Sequence, residues 1–278
     1  MINKLNSFVF RFAKNNFSIF LRKILNIRYP AIDLQYNEVS SDLFFWKCSN
    51  EWETFFNIYH LGPIISPNFK ESYNGIIEFY DKNGNIIHRS TIKLKYGKNN
   101  LLTLNKLLIN LDLKDTYGTF SVFHDVPNNS FYKQNKICIA ERGAVSYRKK
   151  NDGSLLRSYV HGNINASAMN IKTKNSRVVG LEQKKIFKYR FQLNLDDAVK
   201  SEIILINFLS RAASVKIFTY YDKKKKLIRE NVISPRGCST LFFDESKKNN
   251  IIEIESKINF LRPLLFKYYN HHFDVLHG

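Results

Sequence analysis

The sequence predicts a mainly β protein: two tandem antiparallel β-sandwich units of jelly-roll or Ig-like type, from an internal duplication, behind a basic amphipathic N-terminal helix. Three observations lead there. Short β-rich runs separated by turn residues fill the chain from Asp33 onward. Two segments of the second half repeat, in the same order, two segments of the first. Residues 1–32 contain no acidic side chain and space their apolar residues at a helical interval.

In the N-terminal stretch Leu5, Phe8, Val9, Phe12, Phe17, Phe20, Leu21, Ile24 and Leu25 fall close to one helix face, with Lys4, Arg11, Lys14, Arg22 and Lys23 mostly off it. Pro30 ends the pattern. Recurrent charges rule out a membrane span, and Arg11 interrupts the apolar run too early for a secretory signal. Three readings stay open for residues 1–30. The helix lies in a membrane interface with its aromatic face down. Alternatively it packs on the β domain, or it is a transit peptide.

Beyond it, Gly75–Tyr80, Phe120–Phe123, Ile203–Ile206 and Val215–Tyr220 read as strands, and Phe187–Leu193 alternates apolar and polar residues as a half-buried strand does. Asp81-Lys-Asn-Gly84 between two such runs signals a hairpin, because Asn-Gly accepts the positive φ of a tight turn.

Comparing the chain with itself supplies the domain map. Tyr80–His88 matches Tyr221–Arg229: an aromatic-ended strand, an Asp-initiated turn and a second apolar strand. On that match the lysine run Lys223–Lys226 is an exposed hairpin tip. Arg142–Arg148 leads through Asn151-Asp-Gly153 to Tyr159–Gly162, and Arg262–Tyr268 leads past Asn270 to Val275–Gly278. Each is a hairpin opened by Arg and closed by His-Gly, so Arg142 is expected beside His161 and Arg262 beside His277. The divisions are a helix at 1–30, a first unit at 31–165, a small-residue linker at 166–178 and a second unit at 179–278.

Composition limits the chemistry. The 278 residues hold 43 Lys and Arg against 24 Asp and Glu, a net charge of +19. Such a chain attracts polyanions, although Lys-, Asn- and Ile-rich composition also produces a plain solvated surface. The cysteines Cys48, Cys138 and Cys238 are widely spaced and form no paired ligand motif, so free thiols in a reducing compartment are expected. Phosphate-binding loops, dinucleotide fingerprints, nucleophile elbows and zinc-protease motifs are all absent. No catalytic residue, metal ligand or cofactor is assigned.

Four constellations remain. Arg142, His161, Arg262 and His277 are the candidate ligand-binding residues, because an Arg fork grips carboxylate or phosphate and a neighbouring His adds a donor. His271-His272-Phe273-Asp274 could supply part of a metal triad with His124, His60 or His161, against its plain reading as a hairpin tip. His124-Asp125 could support acid–base chemistry, but no nucleophile accompanies it. Phe131, Tyr132, Tyr268 and Tyr269 could stack on sugars or bases, or fill the core.

The functional expectation is a non-enzymatic binding or accessory protein for an anionic ligand, an acidic glycan or lipid head group, at a membrane face. It is placed in the cytoplasm, peripheral on the inner face of a membrane through residues 1–30. Two alternatives stand beside it: an enzyme acting on an acidic sugar through Arg and His, and a nucleic-acid-binding protein.

Overall fold

A computed structural model describes residues 38–65, 69–109, 111, 115–125, 143–150, 158–160, 163–180, 185–192, 196–221, 224–244, 251–258 and 263–277. The N-terminal segment at 1–30 lies outside the described residues.

The chain is mainly β. Its first half carries β1 (Glu38–Lys47), β2 (Trp52–Ile58), β3 (Tyr73–Tyr80), β4 (Ile86–Leu94), β5 (Leu101–Thr103), β6 (Tyr117–Asp125), β7 (Gly143–Lys149), β8 (Ser158–Val160), β9 (Asn163–Asn170) and β10 (Ser176–Val178). Among the described residues two short helices, α1 (Gly62–Ile65) and α2 (Leu104–Leu108), sit in its connections. The second half carries β11 (Phe187–Gln192), β12 (Lys200–Ile206), β13 (Ala213–Tyr221), β14 (Lys224–Ile233), β15 (Cys238–Asp244), β16 (Ile251–Ser256), β17 (Leu264–Tyr268) and β18 (Phe273–His277).

These strands form four antiparallel sheets. Their orders are β10-β9-β1-β6-β3-β4 and β5-β2-β7-β8 in the first half, and β11-β16-β13-β14 and β15-β12-β17-β18 in the second. With β9 and β10 set aside, the two halves have one strand order: 1-6-3-4 and 5-2-7-8 recur as 11-16-13-14 and 15-12-17-18. The sequence-matched hairpins are β3–β4 with β13–β14, and β7–β8 with β17–β18, and they occupy equivalent places in that order.

Local chemistry explains the turns. Asp81 Oδ1 accepts from the backbone N–H groups of Asn83 and Asn85, and Gly84 takes φ +84. The turn is also a docking surface. A Cβ at Gly84 would stand 1.9 Å from the Pro235 carbonyl oxygen, and the Cys238 N–H donates to the Lys82 carbonyl at 2.9 Å. Only glycine admits both the left-handed backbone and that approach.

In the first half the two sheets meet through Phe44, Phe56 and Phe120, whose ring centroids lie 4.7 and 5.1 Å apart. In the second half Ile203, Leu205 and Leu265 share an apolar cluster with Val215, Ile217, Ile252 and Ile254. That cluster is continuous with the core of the first half. Phe266 on β17 touches Phe45, Trp52 and Tyr147, so the halves are packed against each other rather than strung apart.

The structure corrects one expectation. Residues 166–178 are not a linker: β9 pairs with β1, β10 pairs with β9, and Ala166, Ser167, Ala168 and Met169 are buried. Met169 packs with Val39, Ile76 and Phe123 on the outer face of the sheet. The lysine run does stand at the β13–β14 hairpin, as expected: Tyr221 pairs with Lys224, and Lys224–Lys226 are exposed. Lys224–Lys226 belong to β14, and Lys225 reaches back across the sheet to two carboxylates.

Candidate functional site

The residues expected to bind ligand sit where little of them is described. Arg142, His161 and Arg262 lie outside the described residues. His277 ends β18 with its backbone opposite Leu264, at the open end of the β17–β18 hairpin. The edge strands β8 and β18 are themselves neighbours, so the two repeated hairpins run close together.

His271 and His272 are exposed in the β17–β18 turn. The Tyr269 N–H donates to the His272 carbonyl at 2.9 Å, and the two rings stack at 4.3 Å. His124 is buried, its Nδ1 3.0 Å from the Tyr73 hydroxyl, which also accepts from the Leu61 N–H. Among the described residues no group of His, Cys, Asp and Glu is disposed to hold a metal ion. Tyr268 is part of the contact between the halves, while Phe131 and Tyr132 lie outside the described residues. Cys48 and Cys238 are free thiols. Burial pushes Cys48 up to about 12 and raises Cys238 as well, so neither is a thiolate at neutral pH.

The polar chemistry is concentrated instead in three carboxylate–tyrosine–cation clusters. On the outer face of the six-stranded sheet, Glu78 is fully buried. Tyr80 donates to its Oε1 at 2.6 Å, Arg89 Nε donates to Oε2 at 2.8 Å, and Ser176 of β10 bonds to Oε1. From the second half, the Arg236 guanidinium lies 4.9 Å from the Tyr80 ring and donates to Ser176 at 3.2 Å. This cluster is closed over by its own chain.

The second cluster joins the halves. Lys47 at the end of β1 donates to Glu202 of β12 at 2.6 Å and to the Tyr268 hydroxyl at 3.2 Å. Tyr268 donates to Glu202 at 2.5 Å. The ammonium also lies 4.6 Å from the Trp52 ring and 5.3 Å from that of Phe266. Burial lowers the affinity of Lys47 for its proton, and Glu202 works against that.

The third cluster lies on the outer face of β11-β16-β13-β14. Glu253 of β16 is fully shielded, with Lys225 donating to Oε1 at 2.5 Å and Tyr220 to Oε2 at 2.9 Å. Arg190 Nε also bonds to Oε2. Lys225 continues to Glu255 at 2.6 Å, and Lys188 reaches the same carboxylate at 3.2 Å. Burial alone would raise the Glu253 carboxyl, but the hydrogen bonds from Lys225, Arg190 and Tyr220 outweigh it and hold the group at about 2.

That balance has a measurable consequence. The folded-state value lies below the ordinary 4.5, so folding is favoured wherever the carboxylate is charged and this contribution fades as pH falls from about 4.5 toward 2. In thermal melts between pH 6 and pH 2.5, the wild type is expected to lose stability on acidification more steeply than Glu253→Gln. The gap between the two curves should narrow at the acid end.

Tyr268 and the run holding Lys225 were noted from the sequence, but none of the buried carboxylates was. Glu202 is a lone acid at the head of an apolar run, Lys200–Ile206, and Glu253 and Glu255 recur at spacing two in Ile251–Ser256. Both patterns were visible signals of carboxylates fixed on one strand face.

Comparisons with known proteins add little. No protein-family model and no curated protein matches the chain. Among solved structures, the N-terminal tandem CBM22-1–CBM22-2 domain of Paenibacillus barcinonensis Xyn10C aligns over 80% of this chain and 72% of its own, at 5% identity and a TM-score of 0.18.

Proposed function

We propose that the chain is a non-enzymatic binding protein of two duplicated β-sandwich units that recognises an anionic ligand, an acidic glycan or a lipid head group, at a cytoplasmic membrane face. One observation carries the reading. Four buried acids are neutralised from within: Glu38 by Arg177, Glu78 by Arg89, Glu202 by Lys47 and Glu253 by Arg190 and Lys225. With 43 basic against 24 acidic side chains, the unmatched charge is left to the surface, as at Lys70, Lys93, Lys95 and Lys98. A carboxyl held at about 2, as Glu253 is, is unsuited to donate a proton at neutral pH, which favours binding over acid catalysis at that site.

Within this reading Arg142, His161, Arg262 and His277 contact the ligand, and residues 1–30 bring the protein to the membrane. The test is a thermal-shift series on the full chain with uronic-acid oligosaccharides, inositol phosphates and anionic vesicles at two salt concentrations, since a ligand of the folded state alone raises the melting temperature. A shift lost in Arg142→Ala or Arg262→Ala supports these contacts. Deleting residues 1–30 is expected to abolish vesicle binding. If no anionic ligand shifts the transition even at low salt, the proposal fails.

A further inference from the structure

We infer that the outer face of the β11-β16-β13-β14 sheet is a docking face for a linear acidic polysaccharide, an assignment that rests on the anionic-ligand reading above and gives it a place and a substrate class.

The two halves share a strand order but differ on this face. In the first half the corresponding face is occupied by the chain itself. There β9 and β10 extend the sheet, Ser176 sits on Glu78, and Arg236 lies over the Tyr80 ring. The second half has no counterpart of β9 and β10 among the described residues, and its face carries charged side chains open to solvent. The Arg190 side chain is 64% exposed and that of Lys188 56%.

The chemistry of the open face is directional. Glu253 lies wholly beneath its partners and Glu255 mostly so; solvent meets Lys188 and Arg190 on β11, Lys216 on β13 and Lys225 on β14, with Glu230 of β14 the exposed acid among them, 3.9 Å from Lys216. Two of these groups are held in place before any ligand arrives. Arg190 is fixed by Glu253 and by its 3.4 Å bond to Tyr220, which leaves other guanidinium N–H groups to donate outward. Lys225 is fixed by Glu253 and Glu255 and stands 3.8 Å over the Phe218 ring. Cations ordered in advance lose less conformational freedom on binding than free surface lysines.

Their spacing favours a chain of anions over a single one. Lys188 and Arg190 stand two residues apart on β11, about 7 Å, while Lys216 and Lys225 lie two and three strands away across β16, at about 4.8 Å per strand. A polymer with one carboxylate on each sugar meets such a comb along its length. A single phosphate or head group engages one tooth.

The experiment measures binding of oligogalacturonate, and of its methyl-esterified neutral form, to the full chain by titration calorimetry. The variants are Lys188→Ala with Arg190→Ala, and Lys188→Ala with Lys216→Ala, which spares the bonds to Glu253. The control removes the same charge from the other half, Lys106→Ala with Lys172→Ala, both exposed. The expected result is binding of the charged oligomer only, weakened about tenfold or more in both face variants and about twofold or less in the control. Equal losses in face variants and control would overturn the docking face and leave the anionic-ligand reading standing. Binding to phosphatidylserine vesicles with none to oligogalacturonate would overturn the polysaccharide assignment alone. Binding to neither would overturn both.

Discussion

Replacing Glu202 with alanine is expected to destabilise the protein by about 3–5 kcal/mol, because it leaves a buried ammonium without its counter-charge. The Lys47 side chain is 12% exposed and that of Glu202 2%, and their contact links β1 of the first half to β12 of the second. The attraction between the charges is largely offset by the cost of taking both out of water, so the pair as a whole adds less than its breakage costs. The discriminating measurement is therefore a double-mutant cycle. Glu202→Ala should be costly, whereas Lys47→Met with Glu202→Leu should recover most of the loss in urea-unfolding midpoint. The Tyr268 hydroxyl sharpens this expectation. It donates to Glu202 at 2.5 Å, and burial together with the adjacent carboxylate pushes its own ionisation upward, so it remains a neutral donor that loses its acceptor when Glu202 is removed.

The reason this pair escaped a reading of the sequence lies in what patterns report. Periodicity gives the face on which a side chain lies, and it located β3, β6, β11, β12 and β13 because each is a run of β-branched and aromatic residues bounded by turn chemistry. The hairpin at Asp81–Gly84 was legible for a local reason: the carboxylate and the glycine do their work within five residues. The repeat was legible because two hairpins kept their order. Burial of charge is different, since Lys47 and Glu202 are 155 residues apart and neither is informative without the other.

The segment at 166–178 misled for the converse reason. Ala166, Ser167 and Ala168 have weak strand preference, and their composition resembles a connector. They form a strand because β1 offers an unpaired edge and because Met169 completes the patch of Val39, Ile76 and Phe123 on the outer face. Tertiary context overrides propensity here. It also gives the first half a covered face where the second has an open one, and that difference carries the functional inference.

The aromatic contact between the halves sets the second large expectation. Phe266 is fully buried and is the hub of that contact. Its ring lies 4.9 Å from Tyr147, 5.9 Å from Trp52, 6.2 Å from Phe45 and 6.4 Å from Phe273. Phe45, Trp52 and Tyr147 belong to the first half, while Phe266 and Phe273 belong to the second. Truncation to alanine removes the ring from between two β structures that are each rigid, so the void collapses little and the loss should reach about 3–5 kcal/mol. Phe266→Leu, which retains most of the volume, should lose much less. The pattern of unfolding matters as much as the size of the loss. In the wild type a shared core predicts one cooperative transition for both halves. In Phe266→Ala the link is weakened while the Phe44–Phe56–Phe120 core of the first half is untouched, so denaturant melts followed by fluorescence and by circular dichroism should separate. Coincident transitions with an unchanged midpoint would mean that the two halves do not depend on this contact. The ion pair at Lys47 and Glu202, beside the same ring, would then have to hold them together without it.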